Sequence, residues 1–299
     1  MKPFKIIKKN KIKNIIFNKD LCFGLIGSNK NIILSEIVKK KKFNCKIFNK
    51  KKHKNIETFF KEIDILISYD NHFIFPKENI DNFKYQILNI HGSLLPNFAG
   101  RGTYSNMILL DNSMIGSTLH IVGKRVDFGE ILMHSQKLNT NKNALPNTYL
   151  KKTEKLSFML LKEFLVKIKN NYTFELFSQN ENLRFFSKKY ISSFHGEIDW
   201  NWRGNEIVKF VRAFSKPYRG SFSYLNNSKK KIHIKKLKYT KAKSHPFLIG
   251  KIFQYNSLTN KIKICVIDGF VEMNINDLSI NKNKSFLDKL EGKYFIKKN

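Results

Sequence analysis

Arginine is scarce in this chain. Of 56 basic residues in 299, six are arginine: Arg101, Arg125, Arg184, Arg203, Arg212 and Arg219. Acidic residues are also few, 23 in all, which leaves a formal net charge of +33. A surface built to read phosphates favours the bidentate guanidinium fork. A lysine excess spread through the whole chain, beside abundant Asn, Ile and Phe, therefore reads as composition rather than as a nucleic-acid face. Cysteine is scarce too. Cys22, Cys45 and Cys265 are odd in number and scattered, with no C-x-x-C pair, which argues against a disulfide framework or a cysteine zinc site. No apolar run approaches the ~18 residues needed to span a bilayer. Lysines interrupt the opening M-K-P-F-K-I-I-K-K-N-K-I-K-N too often to leave the apolar centre of a signal peptide. The expectation is a soluble cytoplasmic protein without a membrane association.

The hydrophobic content of 41% suits a folded globular chain, and the length suits two domains. Residues 1–20 alternate apolar residues with lysine at no clear period, and no element is assigned to them. L-C-F-G-L-I-G at 21–27 reads as a buried strand, with a helix over N-I-I-L-S-E-I-V-K-K after it. A short strand at 45–48, a short helix, and a buried strand at 63–69 follow. A fourth strand spans 85–90. This alternation of strand and helix implies a parallel sheet with right-handed crossovers. A helix is expected over 103–111, strands at 116–122 and 130–136, and a long amphipathic helix over 147–170, where Leu156, Leu160, Phe164 and Ile168 share a stripe. Residues 170–194 lose all periodicity and read as a linker. After position 195, short strands of alternating pattern suggest a small closed or partly open β-barrel. The division expected is 1–190, 191–280, and a Lys/Asn-rich tail at 281–299.

The stretch I-L-N-I-H-G-S-L-L-P-N-F-A-G-R-G at 87–102 carries the chemistry. Residues two apart on a strand point the same way, so Asn89 and His91 present an amide and an imidazole to one side. Asp127 follows another strand. Sites on open α/β sheets lie beyond the carboxyl ends of the strands, so the three are expected to meet on that edge. The set suits acyl transfer to an amine. An amide can donate to the oxyanion of a tetrahedral intermediate, and one such donor is worth ~2.7–4 kcal/mol. A histidine can take a proton from the attacking amine, worth ~10²–10⁴-fold, with the aspartate fixing its tautomer. Each motif alone has an ordinary structural explanation, and D-F-G at 127–129 is also a common turn. His72, His120 and His134 make no metal-ligand spacing. They are read as structural, His120 least firmly because its strand leads to Asp127.

Taken together, N-I-H-G-S-L-L-P, a Gly/Arg loop and G-S-T-L-H-I-V-G-K-R-V-D-F-G-E-I-L resemble the signature of the folate-dependent formyltransferases. I-S-Y-D-N-H-F-I-F-P at 67–76 is similar to their folate-lining segment. The resemblance implies an α/β, Rossmann-like, mostly parallel sheet with a small OB-like C-terminal β domain. It implies 10-formyltetrahydrofolate as cofactor, tetrahydrofolate as product, and Asn89, His91 and Asp127 as catalytic residues. Cofactor contacts would come from Tyr69, His72, Phe73, Ile74, Val126, Phe128 and Gly129, largely through backbone groups. Substrate contacts would come from Ser93, Leu94, Arg101 and Gly102. No metal is implied, and a homodimer is allowed.

Two branches of the family carry a C-terminal barrel. The methionyl-tRNA formyltransferases typically have a long basic loop after the second strand, and here few residues separate Phe48 from the next strand. G-E-I-D-W-N-W and K-P-Y-R-G at 196–220 resemble the sugar formyltransferases more closely. The expected substrate is therefore an amino sugar carried on a nucleotide, of the kind used for O-antigen, with initiator tRNA as the alternative. Arg101 either helps hold the diphosphate or is a solvated loop residue. Trp200 and Trp202 either mark the branch or pack the barrel onto the catalytic domain.

Overall fold

A computed structural model of the protein describes residues 4–9, 12–49, 51–53, 55–82, 86–183, 186–187, 190–226, 228–279, 287 and 289–298. In chain order the first elements are β1 (Phe4–Lys9), β2 (Ile12–Phe17), β3 (Cys22–Gly27), α1 (Asn31–Lys40), β4 (Asn44–Ile47), α2 (Ile56–Phe60), β5 (Ile65–Tyr69), α3 (Lys77–Asn82), β6 (Ile87–His91) and β7 (Ala99–Gly100). Next come α4 (Thr103–Leu109), β8 (Met114–Ile115), β9 (Thr118–Ile121), β10 (Ile131–His134), β11 (Leu138–Asn139), α5 (Pro146–Lys169), β12 (Phe174–Leu176) and β13 (Phe186–Ser187). The remainder is α6 (Ser192–His195), α7 (Gly204–Ala213), β14 (Ser221–Leu225), β15 (Ile232–Ile234), β16 (Lys238–Lys241), β17 (Ile252–Asn256), β18 (Lys261–Val266), β19 (Gly269–Asn274) and β20 (Phe295–Ile296). Two compact units result. One holds 1–103, 114–140 and 150–188; the other holds 104–113, 141–149 and 189–299.

The first unit is built on a six-stranded sheet in the order β10-β9-β6-β5-β3-β4. Strands β4, β3, β5 and β6 run parallel. Strand β9 runs antiparallel to β6, and β10 antiparallel to β9. The central strands are apolar on both faces because both are covered. Ile65, Ile67, Leu88 and Ile90 pack with Leu34 and Val38 of α1 and with Leu160, Leu161, Phe164 and Leu165 of α5. Leu66 and Ile87 turn the other way, onto Ile56, Phe59, Ile63 and Phe75. The first βα turn needs Gly27: its φ is +146°, and a Cβ there would strike the Tyr69 carbonyl.

Two stretches that carry no clear period in the sequence are structured. Strands β1 and β2 form an antiparallel hairpin, and β12 adds to the free edge of β2. Phe17, Phe164 and Phe174 meet as an aromatic trio, 5.3–5.6 Å between centroids. Within the stretch expected as a linker, residues 174–176 are therefore part of a sheet. Phe177 also exchanges backbone hydrogen bonds with Ile131. The strand expected at 63–69 begins at Ile65, because Glu62, Ile63 and Asp64 form the turn out of α2. Tyr85, taken as the start of a strand, lies outside the described residues.

In the second unit the strands form two antiparallel sheets, ordered β15-β14-β20 and β16-β19-β18-β17. Trp200 is buried within this unit, stacked on Phe295 at 5.4 Å and donating from Nε1 to Ser223 Oγ at 2.8 Å. Trp202 lies edge-on to Phe210 of α7, also in this unit. Strand β20 shows that part of the Lys/Asn-rich tail pairs into a sheet; residues 280–286, 288 and 299 lie outside the described residues. Among the described residues, no helix is long and apolar enough to cross a membrane.

Candidate active site

Strand β6 carries Asn89 and His91 on one face, two residues apart. Its antiparallel partner β9 sets His120 directly opposite Asn89 and Thr118 opposite His91. The pairing direction corrects one expectation. Because β9 is antiparallel, the loop carrying Asp127 leaves near the amino-terminal half of β6: Val122 N–H bonds the Ile87 carbonyl. Asp127 does not reach the others from a shared strand edge. Residues 122–130 instead fold back over the face that Asn89, His91 and His120 present. Asp127 Oδ1 lies 3.3 Å from Asn89 Nδ2 and 3.5 Å from His120 Nε2. Asp127 Oδ2 lies 3.4 Å from His91 Nδ1 and accepts from the Gly100 N–H at 2.9 Å.

The S-L-L-P-N-F loop orients the imidazole. Phe98 takes a left-handed backbone, φ +55°, which turns its carbonyl inward. That oxygen accepts from His91 Nε2 at 2.9 Å, Thr103 Oγ1 at 3.2 Å and Ser93 Oγ at 3.3 Å. Thr118 braces the same loop, donating to the Ser93 carbonyl at 2.6 Å and accepting from Leu95 N–H at 3.0 Å.

The Asp127 loop is fastened from several sides. Asp127 is left-handed, φ +50°, a strained state for a residue with a Cβ. Gln179 Nε2 donates to the carbonyls of Asp127 at 3.1 Å and Gly129 at 2.7 Å. Arg125 pairs with Glu181 and lies over the Phe128 ring, 4.7 Å from its centroid. Lys13 pairs with Glu130 at 2.6 Å. A Cβ on Gly129 would sit 1.7 Å from the Ile121 carbonyl, so only glycine lets the loop lie this close to β9. Burial opposes a charge on Asp127, but the His91 and His120 rings and the Gly100 N–H outweigh it and hold the carboxyl well below the usual carboxylate range.

The other expected site residues divide. His72, Phe73 and Ile74 lie in the irregular stretch 71–76 after β5 and are exposed, as is Val126 on the Asp127 loop. Phe128 and Gly129 share that loop, and Arg101 is exposed beside Gly102, whose φ is +80°. Three side chains are placed differently from expectation. Tyr69 points into the core, its ring against Phe158 and its hydroxyl bonded to Ser157, because the β5 pleat sends it to the α5 side. Ser93 is fully buried and spends its hydroxyl on the carbonyls of Asn97 and Phe98. Leu94 is half-buried and packs over Gly116. His120 and Gln179 are the additions. The inward position of His120 on T-L-H-I was visible as strand alternation, but its partner was not. Gln179 lies in an aperiodic stretch with no signal at all. The Asn89 amide is in contact with both neighbours: Nδ2 lies 3.0 Å from His120 Nε2 and 3.3 Å from Asp127 Oδ1.

A carboxylate, two imidazoles and an amide in one cluster can hold a nucleophilic amine and move its proton. Comparison with known proteins agrees with that chemistry. The formyl transferase model matches residues 5–161, and the model of the formyl transferase C-terminal domain matches residues 191–283. The bifunctional polymyxin resistance protein ArnA of Wigglesworthia glossinidia brevipalpis is 30% identical over 241 residues, 79% of this chain and 35% of that protein. A methionyl-tRNA formyltransferase of Mycoplasma capricolum is 30% identical over 176 residues, 59% of this chain and 54% of that protein. The matches to both thus span well under two thirds of those relatives' own length. Among solved structures, an N-formyltransferase from Helicobacter canadensis in complex with folinic acid and dTDP-3-aminofucose has a TM-score of 0.59 at 20% identity, covering 85% of this chain and 97% of that one. With a family model over more than half its length and the matching C-terminal model behind it, the chain belongs to the formyl transferase family.

Proposed function

We propose that this protein transfers a formyl group from 10-formyltetrahydrofolate to the amine of a nucleotide-linked amino sugar. The observation that carries the reading is the convergence of Asn89, His91 and Asp127 within 3.5 Å of one another's polar atoms through Asp127. When bound, the folate supplies the formyl carbon and a leaving nitrogen. The residues available to it fit a planar, partly apolar group. Exposed Phe73, Ile74 and Val126 offer apolar surface on two loops of the same unit, and 71–76 offers backbone groups outside regular structure. His91 takes the proton released by the attacking amine. Asp127 holds the ring in place and stabilises its charged form. Arg101 is assigned to the diphosphate. A cytoplasmic location, matching the free cysteines, belongs to the same reading.

The sugar acceptor is supported by three features. The chain between β4 and α2 is too short for a long basic excursion. The Helicobacter structure holds a nucleotide amino sugar, and ArnA is among the relatives. A second reading, formylation of initiator methionyl-tRNA, is favoured by the relatives of that name and by the net charge of +33. The test supplies 10-formyltetrahydrofolate with a panel of amino-sugar nucleotides and charged initiator tRNA, and reads the formyl mass increment by mass spectrometry. A sugar nucleotide is expected to gain the formyl group. Gain by tRNA alone replaces the first reading with the second.

A further inference from the structure

Lys30 caps the amino terminus of α1. That end of a helix carries the positive pole of the macrodipole, so a cation there is unfavourable. The first turn of α1 brings no acidic residue to offset it. The offset comes from two other elements of the same unit. Lys30 Nζ lies 3.2 Å from Glu154 Oε2 on α5 and 3.5 Å from Asp70 Oδ2, directly after β5. The ammonium also stands over the Tyr69 ring, 6.0 Å from its centroid. Lys30 therefore does little for its own helix and ties the end of β5 to α5.

The residue it ties is strained. Asp70 is left-handed, φ +49°, a state that costs any residue with a Cβ. Its neighbours on either side are fixed. The Tyr69 ring packs on Phe158, and the Tyr69 carbonyl lies against Gly27. Asn71 Nδ2 donates to Ser68 Oγ at 3.4 Å, and Asn71 Oδ1 accepts from the Phe73 N–H at 3.0 Å. Asp70 is thus the pivot between a buried strand and the stretch 71–76, where Phe73 and Ile74 are 46% and 70% exposed. A change in its φ swings both side chains together.

We infer that Lys30 is a positioning residue for the folate donor. Backed by Glu154, it holds the left-handed turn at Asp70 that sets the direction of Phe73 and Ile74. The inference rests on the proposed formyl transfer and deepens it, assigning part of the donor affinity to a side chain that does not touch the donor. Lys30 acts on binding and not on proton transfer, so donor affinity moves with it and the rate at saturation does not.

Glycine enters the left-handed region without strain. Asp70→Gly therefore separates a hold on Asp70 from a direct contact between Lys30 and a ligand. Folinic acid is the probe, titrated into the full chain by calorimetry. Lys30→Met should raise its Kd roughly three- to tenfold, the scale that one or two part-exposed ion pairs allow. KM for 10-formyltetrahydrofolate should rise in parallel, with kcat and the acceptor KM within about twofold of wild type. Lys30→Arg keeps the charge and should bind like wild type. Asp70→Gly should bind within about twofold of wild type, and Lys30→Met added to it should cost nothing further. An unchanged Kd in Lys30→Met overturns the inference. So does a loss just as large in the Asp70→Gly background, because the lysine then acts on the ligand itself. A fall in kcat at unchanged donor KM overturns it as well. Lys30→Gln carries the same series if Lys30→Met does not fold. If the wild type binds no folinic acid, the proposed function fails. Amide hydrogen exchange of residues 71–75 then decides the hold by itself: faster exchange in Lys30→Met supports it, and unchanged exchange overturns it.

Discussion

Replacing Asp127 with asparagine isolates the charge at the centre of the cluster. The substitution is nearly isosteric, and the amide oxygen can still accept from the Gly100 N–H. What disappears is the negative charge 3.4 Å from His91 Nδ1 and 3.5 Å from His120 Nε2. At an effective dielectric constant of ~20, a unit pair at that separation attracts by about 5 kcal/mol before desolvation is counted. Burial offsets part of that gain, and Asp127 is 11% exposed. The net effect expected on the step in which His91 becomes charged is ~2.7–5.4 kcal/mol, or a 10²–10⁴-fold fall in kcat. KM for either substrate should shift by no more than about threefold, because the carboxylate acts when charge develops and not when substrate binds. The assay is formyl transfer to whichever acceptor the panel identifies, measured at saturating donor, with a thermal melt alongside to confirm folding. A folded Asp127→Asn protein within tenfold of wild-type kcat would refute the assignment.

Two further outcomes follow from the same geometry. Gln179→Ala removes two hydrogen bonds to the Asp127 and Gly129 carbonyls, so kcat should drop by roughly 10-fold or more, while the melting temperature moves only by what about 1 kcal/mol per bond allows. Parallel steady-state kinetics and calorimetry check this. The third concerns pH. Burial, aided by Lys137, lowers the pKa of His134 in the folded protein. The unfolded chain therefore binds more protons than the native one once pH falls below ~6.5. His134 costs stability there and costs none well above it. Melts at pH 5.5 and 8 should show a larger loss on acidification in the wild type than in His134→Gln.

Much of the fold is legible as hydrophobic pattern. The continuous apolar runs of β3 and β5 mark strands covered on both faces, and the stripe of Leu156, Leu160, Phe164 and Ile168 marks the helix that covers one of them. The pairing of Asn89 with His91 is legible because strand period alone puts them on one side. What is hidden depends on partners distant in sequence. Nothing local says that β9 runs antiparallel to β6, so neither the route of the Asp127 loop nor the meeting of His120 with Asn89 can be read in advance. Ser93 and Tyr69 look like site residues by position, but loop closure and pleat direction send both inward. The hairpin of β1 and β2 escapes because its lysines dilute the alternation; the phenylalanines at 17, 164 and 174 supply the packing that it lacks by itself.

Gln179 stands 52 residues after the backbone it holds, and that distance sets a clock on synthesis. A ribosome delivers Asn89, His91 and Asp127 long before it delivers the amide that fastens the loop. The nascent chain therefore passes through an interval in which Gly100 and Lys13 are already made but the loop still lacks its Gln179 bonds. At elongation rates of ~5–20 residues per second, that interval lasts several seconds. That last fastening arrives late, when a stretch without periodicity emerges and ties the loop down. Substitutions there would escape a search for polar side chains in the cluster and still change how firmly the Asp127 loop is held.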